Sequence, residues 1–210
     1  MLLTNLNIKE FMGVLSSDAP TPGGGSAAAL SGVAGVSLLQ MVCNLTIGKK
    51  KYAEFDELNK NVLNDAKRHH DALLAAIDED AKAYDQVSAA FGLPKETDEE
   101  KAARTAAIQD ALKVATLSPF NILVHAKAAL QLTHSIIGKS NPNAASDLGV
   151  AAASLRTAAI GAWYNILINI SSIKNEEFVS DINAKGQEAL ATSNKLADEI
   201  CAYVLTQIEV

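Results

Sequence analysis

Five polar side chains, Asp80, Asp147, Ser154, Asn165 and Asn169, stand at positions in or beside runs where helical periodicity calls for apolar ones. From Phe55 onward, Leu58, Val62, Ala66, Leu73, Ile77, Tyr84, Val87 and Phe91 recur at helical spacing, and Asp80 fills the register between Ile77 and Tyr84. A carboxylate in core register is costly unless it is paired or faces a cavity. The structural alternative is a stripe that drifts and leaves Asp80 in water at its edge. Further on, Asp147, Ser154, Asn165 and Asn169 fall within roughly 60° of one another at 100° per residue. Ala151, Ala158, Gly161 and Ala162 share that face. Small residues of this kind also permit close helix packing, and amides also satisfy nearby backbone. Asp147 stands at a helix start beside Asn141, Asn143 and Ser146, where the helix dipole favours its anion and weakens it as a proton donor. At 1.5 Å per residue, Asp147 and Asn165 lie roughly 27 Å apart and cannot meet at one reacting atom. Carboxylates and amides in such places suit proton transfer at a polar organic ligand.

A second concentration runs from Pro20 to Tyr52. Pro20-Thr21-Pro22-Gly23-Gly24-Gly25-Ser26 precedes an alanine-rich apolar run that ends at Asn44-Leu45-Thr46-Ile47-Gly48-Lys49-Lys50-Lys51-Tyr52. The prolines stiffen the approach and the glycines allow close contact with another group. Ser26 is expected to cap the helix that follows, whose free N–H groups suit an anion or a developing negative charge. The spacing is neither that of a P-loop nor of a dinucleotide fingerprint, and a tight turn is the plain alternative.

These groups need long helices to hold them. The chain has 210 residues, 49% of them apolar but only 5% aromatic, a composition for closely packed helices and not for a sheet. A net charge of −6 disfavours nucleic acid as a partner. Cys43 and Cys201 lie in apolar helical patterns and read as free thiols in a reducing, cytoplasmic setting. Met1–Glu10 lacks the pattern of a secretory signal. His69 and His70 are adjacent and not four apart, so they make no helical metal site, and no metal is expected. Ala27–Ile47 is apolar enough to resemble a membrane span, but its serines, Gln40 and Asn44 favour a buried core helix.

Punctuation divides the chain into helices over about Ile8–Leu15, Ser26–Ile47, Glu54–Phe91, Thr97–Ile137, Asn141–Ile173 and Glu176–Gln207. Thr97 with Glu100 reads as a capping box, and Asn141-Pro142 as a cap followed by an N1 proline. Pro119 is expected to kink or break the fourth helix. The fold class is all-α: one domain over residues 1–210, an elongated antiparallel bundle of five to six long helices.

Four blocks in order carry a resemblance. They are the Pro20–Ser26 run, the Asn44–Tyr52 block, Asp78-Glu79-Asp80-Ala81-x-Ala83-Tyr84, and Ser146-Asp147-x-x-Val150-Ala151. Together they resemble the cyclodeaminase/cyclohydrolase family: the cyclodeaminase domain of formiminotransferase-cyclodeaminase and the stand-alone methenyltetrahydrofolate cyclohydrolases. The resemblance implies a helical homodimer with a folate cleft near the subunit interface. It also implies one-carbon chemistry on a tetrahydrofolate, with no cofactor beyond the substrate. Two reactions are implied: hydrolysis of 5,10-methenyltetrahydrofolate to 10-formyltetrahydrofolate, and conversion of 5-formiminotetrahydrofolate to the methenyl form with release of ammonia. On that basis Asp147 is the first candidate acid/base, and Asp80, for its core register, the second. Pro22, Gly23, Gly24, Gly25, Ser26, Asn44, Thr46, Ser146 and Asn169 are expected to contact the substrate, and either Lys49, Lys50 and Lys51 or the glycine-rich helix start to meet its glutamate tail, polyglutamylated or not. A non-catalytic folate-binding or helical interaction protein is the alternative.

Overall fold

The computed structural model describes residues 2–208, and among them every regular element is helical. The long helices are α1 (Ile8–Leu15), α2 (Gly24–Thr46), α3 (Asp56–Phe91), α4 (Asp98–Ser135), α5 (Ala145–Ile170) and α6 (Glu176–Ile208). Short 3-10 turns at Leu3–Asn5, Lys50–Phe55 and Pro142–Ala144 join them. Helices α2, α3, α4 and α5 pack as successive neighbours around a ring that closes where α5 lies along α2, and α6 fills the groove between α4 and α5. One contiguous core runs through the bundle, from Phe11 to Val204.

Local sequence sets most of the ends. Thr97 accepts from the Glu100 N–H while the Glu100 carboxylate accepts from the Thr97 N–H, closing the expected capping box. The Asn141 side chain caps the Pro142–Ala144 turn, and α5 proper begins at Ala145. Gly48 takes a positive φ of 75° after α2, a conformation open to glycine and strained for other residues.

Small residues let α2 and α5 approach closely. A Cβ built on Gly35 would lie 2.9 Å from the Ala151 carbonyl oxygen and 2.7 Å from Leu155 Cγ, so that crossing has no room for a side chain. Small residues are therefore needed at this crossing, where buried Ala28, Ala29, Ala151 and Ala158 share the core with larger side chains such as Leu39, Leu155 and Ile166. α2 is long and apolar enough to cross a membrane, but it lies between α3 and α5 as a central strut of the ring.

Three expectations change. Ser26 does not cap α2; the helix starts two residues earlier, with Gly23 at the N-cap position. Pro119 does not break α4, which runs on through it. The α3 stripe is buried at Leu73 and Ile77 but not beyond Asp80, for Tyr84 and Phe91 are about half exposed. The reason for the last is geometric. α2 begins beside Asp80, so the continuation of α3 has no α2 to pack against, and a cleft opens there.

Candidate active site

The cleft, of about 380 Å³, lies where α2 starts. Its walls are Pro20, Thr21 and Gly23–Gly25 from the loop and helix start, Asp80, Ala83, Tyr84 and Val87 from α3, Ala115 from α4, and Asn165, Ile168 and Asn169 from α5. Among the described residues no lysine, arginine or histidine lines it.

Asp80 takes the place at the α2 start that sequence reading gave to Ser26. Its Oδ2 accepts the Ser26 backbone N–H at 2.9 Å, so a carboxylate from α3 caps α2. The Ser26 hydroxyl is fully buried and donates to the Ile77 carbonyl oxygen at 2.8 Å, with Asp80 Oδ2 3.3 Å away. A Cβ on Gly25 would fall 2.0 Å from Asp80 Oδ1. The run of glycines is thus explained at this position: the carboxylate sits where a side chain would otherwise be. Burial pushes the Asp80 carboxyl above the ordinary aspartate range, and the Ser26 N–H and hydroxyl pull it partly back. The result is an acid that holds its proton more readily than a solvated aspartate, with Oδ1 free of the bonds from Ser26.

The three acids of the Asp78–Asp80 block point different ways, as 100° steps require. Asp78 is buried and accepts from the Leu3 N–H and from Thr4 Oγ1, tying the N-terminal segment to α3. Glu79 faces the groove between α3 and α4 on the bundle's outer side. Only Asp80 enters the cleft.

Two amides face Asp80 from α5. Asn165 Nδ2 donates to the Gly161 carbonyl oxygen at 2.8 Å, and Asn169 Nδ2 donates to the Ala115 carbonyl oxygen at 2.7 Å.

The structure brings Gly23, Gly24, Gly25, Asp80 and Asn169 into one site and adds Asn165, Pro20 and Thr21. It separates the rest. Pro22 is buried outside the lining, and Thr46 is fully buried with its hydroxyl engaged by Val42 and Asn141, so neither presents itself to a ligand. Ser26 likewise holds Asp80 and offers no free hydroxyl. Asn44, Lys49, Lys50, Lys51, Ser146 and Asp147 lie at the far end of α2 and the near end of α5. That end is about 33 Å along α2 from the glycines, because the two helices run antiparallel. Within one subunit, Asp147 and Asp80 therefore share no cavity.

A histidine pair went unread in the sequence. His69 Nδ1 and His125 Nδ1 approach to 2.9 Å between α3 and α4, both half-buried. Burial lowers the pKa of each, helped at His69 by the charge of its partner. The signal was absent from local spacing because the partner belongs to another helix.

The chain that folds into this bundle, with Asp80 the one acid lining the cleft among the described residues, matches the family model formiminotransferase-cyclodeaminase over residues 7–188. The chain belongs to that family. It is 40% identical to methenyltetrahydrofolate cyclohydrolase of Methylorubrum extorquens, over 97% of this chain and 98% of that protein. It is 32% identical to formimidoyltransferase-cyclodeaminase of Gallus gallus over 81% of this chain, which corresponds to 32% of that longer protein. The crystal structure of formiminotetrahydrofolate cyclodeaminase from Thermotoga maritima superimposes with a TM-score of 0.82, covering 98% of this chain and 96% of that one at 24% identity, and so has the same fold.

Proposed function

We propose that the protein is a tetrahydrofolate one-carbon enzyme, acting as methenyltetrahydrofolate cyclohydrolase, with formiminotetrahydrofolate cyclodeamination as the companion activity. The observation that carries this is Asp80: one proton-holding carboxyl, fixed by Ser26 at the α2 start, beside two amides in a cleft. The full-length likeness to the Methylorubrum cyclohydrolase favours the hydrolytic direction.

Both reactions pass through a tetrahedral carbon between N5 and N10, and both move a proton from one heteroatom on that carbon to another. In hydrolysis, water adds to the cationic methenyl carbon and releases one proton. The remaining hydroxyl proton then passes to N5 as the N5–C bond breaks and the N10-formyl group forms. In cyclodeamination, N10 attacks the protonated formimino carbon, the N10 proton passes to the amino group, and ammonia leaves. A single carboxyl of raised pKa serves as the carrier in either case.

We further propose a homodimer, paired through the outer face of α2 and α5. α2 carries no charged residue, and this face exposes Met41, Leu45, Val150 and Tyr164. A two-fold axis perpendicular to α2 would lay the partner's opposite helix ends against the cleft. The site would then gain a Lys49–Lys51 cluster for the glutamate tail, and an Asp147. We read residues 1–210 as one unit and place it in the cytoplasm, consistent with the unpaired Cys43 and Cys201.

The test is a single absorbance assay of the methenyl chromophore. Purified protein should accelerate its loss from 5,10-methenyltetrahydrofolate. Any cyclodeaminase activity will produce it from 5-formiminotetrahydrofolate. No change in either cuvette would defeat the proposal.

A further inference from the structure

Pro119 sits inside α4 and lacks an N–H, so the Ala115 carbonyl oxygen has no donor from the residue four positions on. An unpaired buried carbonyl is costly. The bond is supplied from another helix: Asn169 Nδ2 on α5 donates to that oxygen at 2.7 Å. The proline that ought to break α4 thus fixes the orientation of a cleft amide. With its N–H₂ bound to Ala115, Asn169 presents Oδ1 as an acceptor. Asn165, one turn earlier on α5, is fixed the same way, its Nδ2 held by the Gly161 carbonyl. Asp80, whose Oδ1 takes no bond from Ser26, lines the same cleft, and no cationic side chain lines it among the described residues.

We propose that Asn165 and Asn169 are the specificity-determining residues of this cleft, selecting a ligand that carries its one-carbon unit as an amidinium cation, and that Pro119 is a positioning residue acting through Asn169. The inference rests on the folate reading above and deepens it. Both candidate substrates carry an N–C–N cation, as a bridged methenyl or a protonated formimino group. The formyl product is neutral and loses the attraction. The two amide oxygens and the Asp80 carboxyl in one cleft favour the cation over the formyl isomers, and so in the hydrolytic direction favour binding of substrate and release of product.

Pro119→Ala restores the missing N–H, which can satisfy Ala115 within α4 and free the Asn169 amide to turn. The melting temperature should stay at or above wild type. KM for 5,10-methenyltetrahydrofolate should rise about ten-fold with kcat within about three-fold, the effect of one misdirected hydrogen bond to a cation. Inhibition by the neutral 5-formyltetrahydrofolate should change by less than about two-fold. Asn169→Leu should raise KM as much and also lower the melting temperature, because Ala115 is left bare. Adding Pro119→Ala to Asn169→Leu should recover the melting temperature but not KM. That split separates positioning from plain stability. Wild-type turnover with an unchanged KM in Pro119→Ala would overturn the Pro119 assignment. Equal weakening of cationic and neutral ligands by Asn165→Leu and Asn169→Leu would overturn the selectivity. A wild-type protein that binds neither folate would remove the functional reading itself.

Discussion

Asp80 has two duties that pull in opposite directions. It caps α2, which favours its anion, yet burial outweighs the two bonds from Ser26 and favours the neutral acid. A carboxyl whose folded pKa is raised gains folding stability as pH falls from that raised value toward the ordinary one, and costs stability above it. Asp80→Asn is permanently neutral and can still accept the Ser26 N–H. At pH 7 it should therefore melt no lower than wild type while losing turnover by at least about 10², as measured by calorimetry and by the methenyl assay. Wild-type rates in Asp80→Asn would exclude Asp80 as the proton carrier. Gly25→Ala tests the same contact from the other side. Its Cβ would lie 2.0 Å from Asp80 Oδ1, so either the carboxyl or the helix start must move. Turnover should fall by at least about ten-fold with a destabilisation of about 1–3 kcal/mol in denaturant unfolding. Asp80 was legible in the sequence as a register anomaly. Its partner Ser26 was legible only as a helix cap, because the competing acceptor comes from a distant stretch of chain.

At the scale of helices, ends were more legible than neighbours. Gly48, the Thr97–Glu100 box and Asn141-Pro142 stop or start helices through contacts a few residues long, and those positions agree with the structure. Pro119 does not interrupt α4, and the donor that compensates for its missing N–H lies on α5, out of reach of local sequence. The cleft was invisible for a related reason: it exists only because α2 starts level with Asp80 while α3 runs on. The His69–His125 contact between α3 and α4 also depends on inter-helix register, and it gives the bundle a pH response. Arg68 and Asp65 from α3 bear on His69, and Glu79 bears on His125. Two neutral rings share one proton at 2.9 Å. Both pKa values are lowered in the folded state, so the unfolded chain binds more protons just below the ordinary histidine value. Stability is therefore fully present above that value and falls as pH drops through it toward the folded values. The melting temperature should decline from pH 7 to about pH 5.5. The decline should be smaller in His125→Gln, which keeps a polar side chain and removes the second titration. An unchanged slope in that variant would mean that other groups set the acid response.

For the whole molecule, the proposed pairing starts from an uncharged helix face with the Asp80 cleft at its edge. α2 has no charge along its length, and α5 has only Asp147 and Arg156, the latter turned to Asp198 on α6. The outward side of this pair carries Val150 at 55% and Tyr164 at 65% exposure, a surface that association would take out of water. The Asp80 cleft opens at one end of that face, while Asp147 and the lysines stand at the other. The proposed symmetric pairing with antiparallel helices would cover this face and bring to each cleft the residues that its mate carries at the opposite end. Val150→Glu places a carboxylate on this face far along α5 from Asp80. If the proposed dimer forms, the variant should be monomeric in light scattering where wild type is dimeric, with turnover down by at least about ten-fold and the helical spectrum intact, because an unpaired charge at a buried apolar contact costs several kcal/mol. Mixing settles whether the partner's residues take part. Subunits carrying Asp80→Asn and subunits carrying Asp147→Asn are each expected to be slow as homodimers. If the cleft is shared, a mixed dimer pairs one doubly impaired site with one unimpaired site and regains about half of wild-type activity for that species. A mixture no faster than its separate components would place the whole reaction within one subunit, and Asp147 outside it.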